Sequence, residues 1–190
     1  MTVNRRQQII DAATRCFALF GYKATTMDQV AKLAEVGKGT IYTFFKNKEE
    51  LFDQIMQDLI LEMKEVAEQA VDPNRSFFAN LHHVLYRGLD FRRKHELTIK
   101  LSQEVKAIGT KVAQAGMKKL EDAILSFIQK EVQQAIDKGE IKKCDPKITA
   151  FVMLKLYVAL VYDWEKTHPP LDKEQIDNLF RLYLVEGLAP

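Results

Sequence analysis

Between positions 25 and 51 the chain reads TTMDQVAKLAEVGKGTIYTFFKNKEEL, and its polar side chains fall where short helices offer donors to an anion. Thr26 opens T-x-x-Q with Gln29, a capping box in which the hydroxyl takes one orphan helix N–H and the glutamine amide returns to another. The N–H groups left at such a helix start attract negative charge. Lys38 and Thr40 occupy the first turn of a next short helix, Tyr42 joins a packing ring to a hydroxyl that can reach a phosphate, and Lys48 opens a fourth helix. Two short helices joined by Glu35-Val36-Gly37 and followed by a long capped helix have helix-turn-helix spacing. A short helix fits a major groove about 12 Å wide, with its N-terminal residues at the base edges. Taken singly, each residue has a plainer reading: Thr26 as a cap, Lys48 as a solvated charge, Ile41 and Phe45 as core. The signal lies in their ordered combination.

The elements that must position these residues follow from punctuation and periodicity. Over 5–20 the apolar residues Ile9, Ile10, Ala13, Cys16, Phe17 and Phe20 recur at three and four, and Gly21 supplies a stop. Thr26 then starts a short helix ending near Ala34, and Lys38 starts another ending near Phe45. Asn47 caps a fourth helix with Glu50 at N3, running through Leu51, Ile55, Leu59 and Met63 towards Ala70. Asp72-Pro73-Asn74 breaks the chain. Helices over 75–93, 96–108 and 111–138 come next, with Gly109 and Gly139 behind the last two. Asp145-Pro146, an N-cap with proline at N1, starts a helix reaching about Thr167. Asp172 with Gln175 caps a last one, whose stripe of Ile176, Leu179, Phe180, Tyr183 and Leu184 runs until Gly187. The fold class is therefore all-α with about nine helices: an N-terminal three-helix unit containing the helix-turn-helix, then a helical body.

Composition agrees and excludes alternatives. With 47% apolar and 28% charged residues, the 190-residue chain can bury a core, and 8 Gly and 5 Pro are too few for many short strands. Net charge is only +2, but residues 1–50 carry eight Lys/Arg against five acids, while the rest holds 20 against 21. A small basic module on a near-neutral body is one reading of this asymmetry, and random fluctuation over a solvated surface is the other. Cys16 and Cys144 form no CxxC or paired spacing, which supports neither a disulfide framework nor structural zinc and fits a reducing, cytoplasmic compartment. No HExxH, GxSxG, Walker-type or GxGxxG pattern occurs, so no catalytic residue is nominated and no cofactor is called for. His95-Glu96 lacks a second His at i+4, and His82-His83, adjacent on a helix, face about 100° apart and do not share an ion, so no metal site is expected.

The same stretch resembles the tetracycline repressor (TetR) family of bacterial transcriptional regulators. The resemblance runs from Ile9-Ile10-Asp11-Ala12-Ala13 through Phe17, Phe20-Gly21-Tyr22, Thr25-Thr26 and Val30-Ala31. It continues into Lys38-Gly39-Thr40-Ile41-Tyr42 and Phe45-Lys46-Asn47-Lys48-Glu49-Glu50-Leu51, covering about the first 55 residues. It implies phosphate contacts from Thr26, Tyr42 and Lys48, a supporting backbone grip from Thr40, and Lys38 at the bases. The candidate DNA-contacting set is Thr26, Gly37, Lys38, Thr40, Tyr42, Thr43, Phe44 and Lys48. Three positions depart from the family pattern. Glu35 stands where glycine is usual, so a left-handed turn there costs about 1 kcal/mol. Gly37 replaces a Ser or Thr cap, and Phe44 replaces a polar residue. Phe44 either meets a thymine methyl or packs sideways.

The resemblance divides the chain into a DNA-binding domain, 1–47, and an effector-binding and dimerisation domain, 48–190. Between 148 and 162 only Lys155 is charged and only Thr149 is otherwise polar, so this helix needs cover on several sides. It is too short to span a membrane. With spare apolar surface on the last helix, including Leu182 and Val185, residues 147–188 are expected to pair two copies as a homodimer. A two-fold assembly would read a palindromic operator in double-stranded DNA, as a ligand-responsive repressor. Leu81, Leu85, Leu101, Val105, Met117, Leu120, Ile124, Phe127 and Tyr157 lie on apolar stripes of four helices and are the candidate lining for a small apolar effector, with Arg87 or Lys100 available to a carboxylate. Ordinary core packing accounts for the same stripes. A helical ligand-binding or adaptor protein without DNA function is the alternative, and a helical-bundle enzyme, lacking any Glu-x-x-His, stands third.

Overall fold

The structure, a computed structural model, describes residues 4–94 and 96–186, and the side chains of all of these except 92–94, 96 and 185. Among the described residues the chain has nine α-helices and no strand: α1 (Arg5–Ala24), α2 (Met27–Leu33), α3 (Lys38–Phe44), α4 (Lys48–Ala70), α5 (Phe77–Lys94), α6 (Glu96–Ile108), α7 (Lys111–Asp137), α8 (Pro146–Val158) and α9 (Lys173–Phe180). The caps predicted from sequence form. Thr26 and Gln29 close a complete capping box, as do Asp172 and Gln175, and Asp145 accepts from the N–H groups of Lys147 and Ile148 behind Pro146. No helix among the described residues is long and apolar enough to cross a membrane.

Some boundaries move for local reasons. Asp72 folds back on Asn74 and Arg75, and Ser76 accepts from the Ala79 N–H, so α5 starts at Phe77 rather than 75. The helix expected to reach Thr167 stays regular only to Val158. It then widens into a π turn (Ala159–Asp163) and tightens into a 3₁₀ turn (Trp164–Lys166). A second π turn, Arg181–Val185, follows α9. The stop at Gly187 lies outside the described residues, as do residue 188 of the expected dimer segment, His95 and the side chain of Val185. Phe20, expected on the inward stripe of α1, is 51% exposed. It sits beside Gly21, whose non-helical backbone (φ 82°, ψ 170°) ends the regular turn pattern.

The chain forms two compact units, one of Met1–Glu62 with Arg92–Leu120 and the other of Met63–Phe91 with Glu121–Pro190. In the first, α1 buries Ile9, Ala13, Cys16 and Phe17, α2 buries Val30, α3 buries Ile41, α4 buries Leu51, Phe52 and Met56, and α6 buries Leu101. Phe17, Tyr22 and Phe52 form an aromatic triad, with Phe52 edge-on to Phe17 at 5.4 Å and to Tyr22 at 4.9 Å. Gly116 of α7 brings its backbone onto Phe52 and Met56: a Cβ there would stand 2.9 Å from the phenyl ring. The surrounding apolar packing pushes the Cys16 thiol above its usual range.

In the second unit Phe77, Leu85 and Leu89 of α5 meet Val132 and Ala135 of α7, Met153 of α8 and Ile176 and Phe180 of α9, with Ile141, Val161 and Leu184 completing the core. Cys144 is half-buried against this cluster. His82 Nδ1 lies 2.6 Å from Asp177 Oδ1, tying α5 to α9. One face of α8 is buried through Ala150, Met153 and Leu154. Its other face leaves Ile148 62%, Phe151 49% and Val152 48% exposed.

Gly21 is required twice over, by its positive φ and because a Cβ would collide with Glu104 Oε2. Gly21→Ala should therefore lower unfolding free energy by about 2–4 kcal/mol, measured by urea titration of far-UV circular dichroism. A loss below about 1 kcal/mol would show that the notch relaxes freely.

Candidate nucleic-acid interface

The helix-turn-helix is built on short-range bonds. The Thr26 hydroxyl accepts from the Gln29 N–H at 3.2 Å, and Gln29 Oε1 accepts from the Thr26 N–H at 2.8 Å. At the other end of α2, the Val36 N–H donates to Ala31 O at 3.1 Å across a turn in which Glu35 takes φ 52°. Glu35 is the one non-glycine with positive φ among the described residues, and it occupies the position where the resemblance implies a left-handed turn. Gly37 then caps α3 without a side-chain bond. Its backbone (φ −65°) is open to any residue, and an added Cβ would meet only Thr40 Oγ1 at an ordinary 3.7 Å. Asn47 Oδ1 accepts from the Glu50 N–H at 2.8 Å to start α4, and the Glu50 carboxylate accepts from the Lys46 N–H at 2.7 Å.

The period of α3 decides which side chains face out. Ile41 and Phe45, four apart, are 0% and 2% exposed and lock the helix down. Lys38, Tyr42, Thr43 and Phe44 therefore turn outward, with Thr40 half-buried between them. Tyr42 is 46% exposed and Phe44 39%. The Thr43 hydroxyl donates back to Thr40 O at 2.7 Å. Lys38 Nζ reaches Asp28 on α2, 2.8 Å from Oδ1 and 3.1 Å from Oδ2. That hydrogen bond and charge hold the Lys38 ammonium above the usual lysine range.

Lys48 is placed differently from a solvated cation. Its Nζ donates to Tyr22 O and Thr25 O, both at 2.8 Å, and sits 4.3 Å above the Tyr22 ring. Burial lowers its proton affinity, and Glu104 partly offsets that. Two of the three ammonium N–H groups are thus committed to the turn that delivers the chain into α2, leaving one.

Sequence reasoning missed Glu104, Tyr22 and Thr25. Glu104, on α6, is 7% exposed, and both its oxygens accept from the Lys23 N–H, at 3.1 and 3.2 Å. Thr25, fully buried, donates from Oγ1 to Gly21 O at 2.7 Å. Burial, then Glu49, Asp53 and Glu104, push the Tyr22 phenol up. A signal for Glu104 was present: with Leu97 and Leu101 it falls at i, i+4, i+7, an acid in line with an apolar stripe. Beside the end of α3, an open hollow of about 470 Å³ is lined by Arg6, Phe44, Phe45, Asn47, Glu49, Glu50, Asp53, Gln54 and Gln57. Its three carboxylates make it unsuited to a phosphate.

The candidate effector residues divide between the two units. Leu101, Val105, Met117 and Leu120 belong to the first, and Leu81, Leu85, Ile124, Phe127 and Tyr157 to the second. Leu85, Leu101 and Leu120 are buried, and the other six are half-buried. Arg87 is exposed and Lys100 half-buried.

A short helix with a polar, solvent-facing strip, braced by a capped partner across a tight turn, defines a helix-turn-helix protein of the kind that reads DNA. Residues 9–55 match the model of the tetR family of bacterial regulatory proteins. The chain is 57% identical over 189 residues to the HTH-type transcriptional regulator YhgD of Bacillus subtilis, itself uncharacterized, covering 100% of this chain and 99% of that one. It is 28% identical over 188 residues to the fatty acid metabolism regulator protein of the same organism, covering 95% and 94%. Among solved structures, SmeT, the repressor of the Stenotrophomonas maltophilia multidrug efflux pump SmeDEF, shares the fold. In its triclosan complex it superimposes with a TM-score of 0.79 at 19% identity, covering 98% of this chain and 92% of that one. The chain belongs to the TetR family of helix-turn-helix transcriptional regulators. That is a family of regulators rather than enzymes.

Truncating either grip, the buried Glu104 or the half-buried Lys48, should loosen the reading unit. Glu104→Ala leaves the Lys23 N–H unpaired, and Lys48→Met orphans two carbonyls. Each should cost about 1–3 kcal/mol of unfolding free energy by urea titration. A cost within about 0.5 kcal/mol of zero for both would mean that water replaces these bonds.

Proposed function

We propose that this regulator is a ligand-responsive repressor that binds a palindromic operator as a homodimer. The observation that carries the reading is the outward strip of α3, Lys38, Tyr42, Thr43 and Phe44, presented opposite a locked inner face of Ile41 and Phe45. In this reading residues 1–47 make the DNA contacts and residues 48–190 carry effector binding and dimerisation, in a cytoplasmic protein. Thr26 and Tyr42 bind phosphates, and so does the remaining N–H of Lys48. Thr40, Thr43 and the backbone at Gly37 support that grip. Lys38 reads a guanine edge, and Phe44 meets a thymine methyl.

One short recognition helix reads too few bases, so two related by a two-fold axis are needed. The exposed apolar residues Ile148, Phe151 and Val152 of α8, with Leu182 (50%) and Tyr183 (60%) beyond α9, supply a surface that a second copy would cover. Sedimentation velocity should give a dimer at micromolar concentration, and a helical monomer would contradict this. The effector is assigned as long-chain or aromatic because the candidate lining is apolar, and because one relative regulates fatty acid metabolism while a structural neighbour is in complex with triclosan. It acts only by preferring one arrangement of the two recognition helices over the other. The check is to titrate fatty-acyl and aromatic compounds against the protein–duplex complex. A compound that binds the protein without changing duplex affinity would count against the coupling.

The direct experiment is selection from a random duplex pool. An enriched two-fold-related sequence supports the reading, and no enrichment defeats it. On the selected duplex Lys38→Ala should lose about ten- to a hundredfold in affinity, with less than about threefold lost on random DNA. Lys48→Ala should weaken both duplexes alike. Equal losses on both duplexes for both variants would overturn these roles.

A further inference from the structure

The bond between Asp28 and Lys38 crosses from α2 to α3 on the outward side of the helix-turn-helix. Their side chains are 65% and 62% exposed, so water already solvates both groups and the pair adds little to the fold. Its placement is more informative. Lys38 is the sole cation in α3, and Asp28 the sole acid in α2 and α3 together. The ammonium engages both carboxylate oxygens, at 2.8 and 3.1 Å. The one charged donor of the recognition helix thus carries its own counter-ion.

Building on the DNA-binding reading, we propose that Asp28 is a specificity-determining residue, a built-in competitor that Lys38 leaves only for a base edge offering two acceptors. On random DNA, Lys38 could gain a single phosphate contact. To do so it must abandon a two-oxygen partner and leave that carboxylate facing a polyanion, so the exchange is unfavourable. A guanine edge in the major groove offers O6 and N7 together, an acceptor pair that replaces the two carboxylate oxygens. The acid therefore subtracts from sequence-independent affinity more than from operator affinity. Discrimination comes from penalising the wrong partner as well as rewarding the right one. Asp28 acts through Lys38 and also holds it extended over the turn before DNA arrives.

The test compares the duplex enriched by the wild-type chain with a random duplex of equal length, by fluorescence anisotropy across a salt series. Asp28→Asn should raise affinity for the random duplex by roughly three- to tenfold and steepen its salt dependence by about one released counter-ion. Affinity for the enriched duplex should change less than about twofold, so the ratio of the two falls. Asp28→Glu should keep most of the wild-type ratio. In a Lys38→Ala background, Asp28→Asn should no longer lower the ratio, a coupling that a purely structural role would not produce. Equal gains on both duplexes would reduce Asp28 to general repulsion and overturn the proposal. So would a loss on the enriched duplex alone, which would make Asp28 a base reader, and so would a ratio that falls equally without Lys38. If the wild-type chain enriches no duplex, the DNA-binding reading fails and takes this inference with it. An enriched duplex with an unchanged ratio overturns this inference alone.

Discussion

The reading unit depends on how one buried charge, Glu104, and one half-buried charge, Lys48, are satisfied. A carboxylate and an ammonium out of bulk water are tolerated only with close partners. Here Glu104 and Lys48 find theirs in the backbone between Tyr22 and Thr25, not in each other. The acid takes the Lys23 N–H and the base takes the carbonyls on either side. The last turn of α1 after the Gly21 break, and the Thr25 that follows it, are held by charge-assisted bonds of both signs where the helical ladder is interrupted. Thr25, fully buried, closes the same segment from within by donating to Gly21 O. The direction in which α2 sets off, and with it the aim of α3, follows from this clamp.

The clamp also explains why the first compact unit draws in α6 and the start of α7. Glu104 is carried by α6, and Gly116 of α7 lets a backbone approach Phe52, which packs edge-on against the Tyr22 ring beneath the Lys48 ammonium. With no side chain at Gly21 or Gly116, the Glu104 carboxylate can approach one backbone and the Phe52 ring the other. As a packed object the helix-turn-helix is larger than its motif. Its own short helices bury only Met27, Val30, Ala31 and Ile41.

Most of the fold was legible in the sequence because it is specified locally. Thr26 with Gln29, Asn47 with Glu50, Asp145 before Pro146 and Asp172 with Gln175 each act within one turn of chain, and each forms as a local rule predicts. The left-handed conformation of Glu35 was legible only through the family resemblance, which has glycine at that position. What the sequence concealed is set by contacts distant along the chain. Lys48 reads as a surface charge because its partners lie 26 and 23 residues away, and although Glu104 stands in line with an apolar stripe, its partner lies 81 residues away. Phe20 belongs by period to the inner stripe of α1, yet it is exposed next to the Gly21 break. The widening after Val158 has no breaker residue to announce it. At the candidate interface, types and order were readable, but the pairing of Lys38 with Asp28 ten residues earlier needed the turn geometry.

Trp164 is the single tryptophan, set where the π turn after α8 tightens into the 3₁₀ turn. Its indole N–H donates to Pro169 O at 3.0 Å, and its ring stacks on His168 with centroids 3.9 Å apart. The tryptophan fluorescence of the molecule therefore comes from one spot in the second unit, against the His168 imidazole. Emission under excitation selective for indole is a local gauge of the 164–169 connector. It is blind to events at the recognition helix unless they reshape that connector.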